Sequence, residues 1–307
     1  MSGRRTTGAV AIGNFDGVHL GHRAVLERAR ARAAEAGGRS AVLTFDPHPE
    51  AVLRPAGAPP LLTLPAERTA LLHAEGIDDV HVLGFDRALA SLEAATFVQE
   101  VLWPRLGPRW VVVGENFAFG RGARGRPADL ARLGERLGFA VEVVPALVVD
   151  GAPVSSSRVR ERLAEADLAG AERLLGRPYA ALGEVVHGAG QGRELGAPTA
   201  NIVPAAGKCL PPEGVYAVRV RLADGRVLPA AADLGRRPTF EAAGALRLEV
   251  HLLEGGGQDL YGQSLEVRFV RYIRPDRVFA DAAALMAAIA EDLSAIRALL
   301  GVPGVDR

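Results

Sequence analysis

Along the first half of the chain, short apolar runs alternate with segments whose apolar residues recur at helical spacing. Residues 10–12, 41–45, 80–85, 110–114 and 140–145 read as buried strands, and 22–36, 67–75, 94–102 and 129–137 between them as helices. Strand, helix, strand predicts an α/β fold with a parallel, doubly wound sheet, on which ligands bind beyond the carboxyl ends of the strands. At Leu174-Leu175-Gly176-Arg177-Pro178-Tyr179, Gly and Pro end a short helical segment, which places a domain boundary between 1–178 and 179–307. Beyond it the period shifts towards two. Segments 182–187, 215–222, 227–232, 246–253 and 265–273 read as strands, and so many at this spacing predict a closed antiparallel barrel. From Asp281 onward Leu285, Ile289, Leu293, Ile296 and Leu300 form one stripe, so a C-terminal helix is expected against that barrel.

Composition narrows the function classes. The chain has 307 residues, 49% of them hydrophobic, enough for two cores, and a formal net charge of zero. No global field recruits nucleic acid or an anionic membrane, so anion binding must be local. Cys209 is the single cysteine, which excludes an internal disulfide and a cysteine-built metal site. The apolar run near the start is too short for a signal-peptide core, and no segment has the length of a membrane span. A cytoplasmic protein is expected, with small-molecule ligands and neither nucleic-acid nor membrane partners; homo-oligomerisation stays open.

Chemistry concentrates where strands end. Gly13-Asn14-Phe15-Asp16-Gly17-Val18-His19-Leu20-Gly21-His22 follows the first strand and opens the first helix. A helix N-terminus offers unpaired N–H groups, Gly13, Gly17 and Gly21 allow close backbone approach, and His19 and His22 can donate to phosphoryl oxygens. Two histidines that merely cap a helix are the plainer alternative. Phe45-Asp46-Pro47-His48-Pro49 follows the second strand and Gly114-Glu115-Asn116-Phe117-Ala118-Phe119-Gly120 the fourth; each is either a turn or a ligand loop. Ser155-Ser156-Ser157-Arg158-Val159-Arg160 offers hydroxyls and arginines for a triphosphate, or an ordinary N-cap. In the second half, 187–201 combines Gly188, Gly190, Gly192 and Arg193, suited to wrapping phosphates, with the Thr199 hydroxyl and Asn201 amide, suited to magnesium. Alternation in 246–253 puts Leu248, Val250 and Leu252 on a core face and Arg247, Glu249 and His251 on the other, where an acid is usually only solvated.

The Gly-x-Phe-Asp-Gly-x-His-x-Gly-His pattern resembles the signature of HxGH nucleotidyltransferases, and specifically that of the bacterial bifunctional riboflavin kinase and FAD synthetase family. The resemblance spans nearly the whole chain, since Pro198-Thr199-Ala200-Asn201, residues 210–216 and 259–262, and Arg274-Pro275 also resemble its kinase motifs. It implies a Rossmann-like nucleotidyltransferase domain, then a six-stranded barrel with a C-terminal helix. It implies ATP and riboflavin, FMN or FAD as substrates and products, with Mg2+ as cofactor. By resemblance His19, His22, Gly13, Phe15, Gly17, Gly21, Asn116, Ser156, Ser157 and Arg160 serve adenylyl transfer, and Phe45, Pro47, His48, Pro49, Phe117 and Arg274 the flavin. Gly188, Gly190, Gly192, Arg193, Thr199 and Asn201 correspond to the kinase's Mg-ATP site, and Glu249 to its general base. Three positions depart from the pattern, Ala118 for a frequent arginine, Ala197 for an aromatic and Asp233 for a common asparagine. They leave the flavin and the nucleotide open. Competing readings are a member with one working module and a flavin-binding protein without turnover.

Overall fold

The structure is a computed structural model, describing residues 7–186, 199–236, 246–255 and 260–302. The chain divides into two compact units, 1–156 and 157–307. That division precedes the expected 178/179 boundary: helices Ser156–Ala164 and Leu168–Leu175 intervene, and the second packs on barrel strands.

In the first unit, β1 (Thr7–Ile12), β2 (Arg39–Asp46), β3 (Asp79–Gly84), β4 (Trp110–Gly114) and β5 (Ala140–Val144) form one parallel sheet in the order β3-β2-β1-β4-β5. Near-continuous apolar runs are what a sheet covered on both faces requires. Val10, Ile12, Leu43, Val111 and Val113 point into one core with Phe97, Leu102 and Leu130. Ala11, Val42 and Val112 point into the other, where helix Leu20–Glu35 contributes Val25, Leu26 and Ala29. A small hairpin, β6 (Val148–Val149) and β7 (Ala152–Pro153), closes the unit.

The helix expected over 94–102 is not a plain α-helix. Ala94–Thr96 passes into a π-helical stretch, Phe97–Leu102, before an α-turn, Trp103–Leu106. Pro104 explains it: without an N–H, and with a ring that collides with the carbonyl four residues back, it prevents regular spacing. The amide of Trp103 bonds five residues back, to Val98.

The second unit holds β8 (Tyr179–Val186), β9 (Ala200–Pro204), β10 (Gly214–Arg221), β11 (Val227–Arg236), β12 (Leu246–Leu252) and β13 (Ser264–Arg274) in a closed antiparallel barrel. Tyr216, Val218, Ala232, Leu234, Leu248, Val250, Val267 and Phe269 alternate and are buried. Tyr216 meets Phe269 edge-on at 5.2 Å. On the opposite face Val215, Ala217 and Ala231 pack with Leu293, Ile296 and Leu300 of helix Ala282–Leu300, the stripe expected from sequence.

Candidate functional site

The sheet order reverses between β1 and β4, and a crevice opens beyond the carboxyl ends of strands at such a switch point. The loops after β1, β2 and β4 are those singled out in the sequence. After β1 the chain takes a strained path: Phe15, Gly17 and Val18 have φ of 50°, 87° and 39°. The left-handed region suits Gly17 but costs Phe15 and Val18 about 1–3 kcal/mol each. The turn is held from below, because buried Asp16 accepts hydrogen bonds from the amides of Leu62 (3.2 Å) and Thr63 (2.9 Å) and from the Thr63 hydroxyl (3.2 Å). The Gly17 amide donates to the same hydroxyl at 2.9 Å.

This path delivers His19 as the N-cap of helix Leu20–Glu35. Its Nδ1 accepts from the His22 amide at 3.2 Å, which requires Nδ1 unprotonated and makes Nε2 the ring's donor in the neutral tautomer. The two imidazoles stack with centroids 3.6 Å apart and planes 12° apart. Phe15 sits 5.2 Å from the His22 ring. A Cβ on Gly21 would lie 3.2 Å from His19 Cε1, so the glycine makes room for that ring. The helix's first turn carries no acidic residue, and its positive end is not neutralised from within. Ser156 donates its hydroxyl to the Asp16 carbonyl at 2.8 Å. Ser157 and Arg160 belong to the second unit.

Beside this loop lies a cavity of about 570 Å³. Phe45, Phe85, Phe97, Phe117 and Phe119 give it aromatic walls, with Phe45 edge-on to Phe85 at 5.7 Å and Phe117 stacked on Phe119 at 5.3 Å. Asn14, Glu50, Arg54 and Asn116 supply polar groups. A planar, apolar ring system with a polar edge suits such walls. Of the residues expected at the flavin, Phe45, Pro49 and Phe117 line the cavity; Pro47 and His48 do not. His48 instead caps helix Pro49–Leu53 through the Glu50 amide (3.2 Å) and meets Asn14 Nδ2 at 3.4 Å. Gly13 and Asn116, expected at phosphates, line this cavity too, whereas His19, His22, Phe15, Gly17 and Gly21 lie outside its lining.

In the barrel, cross-strand pairing makes one row: Asn201 opposite Glu249, Glu249 opposite Asp233, Asp233 opposite Val215, Val215 opposite Arg274. Asn201 is buried, Glu249 half-buried. The Asp233 carboxyl, though solvent reaches it, is pushed up to about 7 by the crowding of protein around it, then by the charge and hydrogen bond of Asp276 and the charge of Glu249, against the pull of Arg274. Arg274 is committed to Asp292 of the C-terminal helix, Nη2 to Oδ2 at 2.7 Å and Nε to Oδ1 at 3.0 Å. The Asp292 carboxylate holds that guanidinium above its ordinary pKa. Gly188, Gly190, Gly192, Arg193 and Ala197 lie outside the described residues. The donors at the proposed metal position, the Thr199 hydroxyl and Asn201 amide beside Glu249, are all oxygen. Among the described residues no cluster of three His, Cys, Asp or Glu could hold a metal. Mg2+ fits such a place, because it takes few protein ligands and fills its shell from phosphates and water.

Sequence reasoning missed two features. Asp276 gave no pattern signal, but Arg68, on the buried side of helix Pro65–Ala74 four residues before Leu72, was a charge at a core position.

Comparison with known proteins gives the class: residues 3–158 match the FAD synthetase family model, and 175–300 match the riboflavin kinase model. The chain is thus a transferase of two modules, one for adenylyl and one for phosphoryl transfer. It is 45% identical over 293 residues to the bifunctional riboflavin kinase/FMN adenylyltransferase of Pseudomonas fluorescens, covering 95% of this chain and 93% of that protein. The Escherichia coli K12 enzyme of the same name is 39% identical over 293 residues, with coverage of 95% and 93%. A crystal structure from Streptococcus pneumoniae, titled a macrolide-efflux protein, superposes with a TM-score of 0.86 at 30% identity, covering 96% of this chain and 95% of that one. No helix among the described residues is long and apolar enough to cross a membrane. The chain belongs to the bifunctional riboflavin kinase/FMN adenylyltransferase family, with the adenylyltransferase module first and the kinase module second.

Proposed function

We propose that His19 and His22 are the groups that stabilise the transferring phosphate in FAD synthesis, and that Glu249 is the base in FMN synthesis. The stacked imidazole pair at the N-terminus of a helix whose first turn carries no acidic residue, beside an aromatic-walled cavity, carries the first assignment. FMN lies with its ring among Phe45, Phe85 and Phe117, and its phosphate oxygen attacks the α-phosphorus of ATP while pyrophosphate leaves. That nucleophile is already an anion, so no general base is needed. His19 donates from Nε2 to the oxygens that gain charge, and positioning does the rest. A ribityl hydroxyl, by contrast, is a weak nucleophile, and Glu249 accepts its proton as the oxygen attacks the γ-phosphorus of ATP and ADP leaves. Mg2+, held by Thr199 and Asn201, would supply charge neutralisation for the phosphates.

The functional division is drawn at 178/179, a reading supported by family matches that end at 158 and begin at 175. The partners are small molecules, which the formal net charge of zero supports, and the place of action is the cytoplasm, where the bacterial relatives' biosynthetic substrates fit. The test is chromatographic identification of products from riboflavin with each of the four nucleoside triphosphates, with and without Mg2+. FMN and then FAD should appear with ATP and Mg2+. No product with any of the four would refute the assignment, and full turnover after chelation would remove the metal.

A further inference from the structure

Arg68 is almost wholly inside the first unit, 1% exposed. Burial of a guanidinium is costly unless its donors are satisfied and its charge is balanced. Its bonds go to two backbone carbonyls, one at the end of β2 and one in the loop after β1: Nη2 donates to Phe45 at 2.8 Å and Nη1 to Asn14 at 3.3 Å, while Nε is buried with no hydrogen-bond partner. Burial lowers its pKa, against which Asp16 in the loop after β1 and Asp46 at the end of β2 favour its charge. Asn14 and Phe45 both line the aromatic cavity, and Asn14 begins the turn that ends at His19. Two further links run in parallel: the Thr44 hydroxyl of β2 donates to the same Asn14 carbonyl at 3.1 Å, and the Asn14 side-chain amide meets His48 at 3.4 Å. The turn between Asn14 and His19 is buried at Phe15, Asp16 and Val18, so a displacement at Asn14 is passed on to the imidazoles.

We propose that Arg68 is a positioning residue for adenylyl transfer: its planar fork fixes the histidine loop against the cavity end of β2, setting the distance between the FMN phosphate and the ATP α-phosphorus. This rests on the assignment of the histidine loop and the cavity to FMN adenylylation. A guanidinium suits the task because two rigidly related N–H groups on separate nitrogens hold two carbonyls in a fixed relation, whereas the donors of an ammonium rotate about one nitrogen at the end of a flexible stem. Misplacement of reacting groups by a fraction of an ångström lowers the rate of the bound complex without emptying either half of the site.

The experiment compares Arg68→Lys and Arg68→Gln with the unaltered full-length chain. It measures kcat for FAD formation from FMN and ATP, the Kd of FMN alone by flavin fluorescence, and the rate of riboflavin phosphorylation in the same samples. Both variants should lose about tenfold or more in kcat, keep FMN affinity within about threefold, and phosphorylate riboflavin normally. Full rescue by lysine would overturn the proposal in favour of a charge role alone. Unchanged kcat with a lowered melting temperature would overturn it in favour of a structural role. Loss of FMN binding in step with kcat would do so as well, since the cavity itself would then have collapsed. Failure of the unaltered chain to make FAD from FMN would instead strike the adenylyltransferase assignment.

Discussion

Gly21→Ala sets two effects of known size against each other. Gly21 is the second residue of helix Leu20–Glu35, where alanine is favoured over glycine by about 1 kcal/mol. The new Cβ would stand 3.2 Å from His19 Cε1, 3.3 Å from Nδ1 and 3.6 Å from the Val154 carbonyl. The first two are tighter than ordinary carbon contact at about 3.5–4.0 Å, so the ring must give by a few tenths of an ångström. His22, stacked on it at 3.6 Å, resists that retreat. Weakening the His19 cap costs up to about 1 kcal/mol, so the two stability terms nearly cancel. The rate has no such compensation: removing a charge-stabilising donor costs about 100-fold or more, and a partial displacement about tenfold. The assay is FAD formation from FMN by chromatography, with riboflavin phosphorylation in the same sample as reference and a thermal melt for stability. An adenylylation rate equal to that of the unaltered chain would refute the claim that the His19 position matters to the reaction.

His22→Ala should lower FMN adenylylation by about 100-fold or more while riboflavin phosphorylation, measured beside it, holds. Glu249→Gln should do the converse, costing FMN formation about 100-fold or more with adenylylation of supplied FMN intact; equal loss of both would make the strand carboxylate structural. Asp233 gives a pH dependence. Its folded pKa of about 7 lies above the ordinary 3.8, so the folded barrel holds a proton that the unfolded chain releases. The associated stability is fully present below about pH 4 and lost as pH rises through about 7. Asp233→Asn should therefore narrow the difference in melting temperature between about pH 5 and about pH 8.

The parallel sheet was legible because buried strands between helices leave a pattern that little else mimics, and its boundaries moved by only a few residues. β9 was not read as a strand: Asn201 and Pro204 interrupt a five-residue run, and only pairing with β8 and β12 makes it one. The π-helical stretch was hidden because Pro104 acts on carbonyls a turn earlier, outside any apolar periodicity. Histidines, aromatics and Glu249 stood out by residue type, but the row Asn201, Glu249, Asp233 depends on register between distant strands. That His48 caps a helix and Arg274 pairs with Asp292 is likewise geometry, and no motif reports how a side chain spends its hydrogen bonds.

Phe15 and Val18 are held in a backbone region that L-residues avoid, and both are buried, so the turn between them works as a cocked spring whose latch is Asp16 with Thr63. Releasing the latch lets the backbone fall to a lower-energy course, and the imidazoles go with it. On the proposed assignment of the histidine pair, the adenylyltransferase unit holds that pair in place at the expense of its own conformational ease, and damage to Thr63, which lies outside the cavity lining, should be felt first as lost synthesis of FAD.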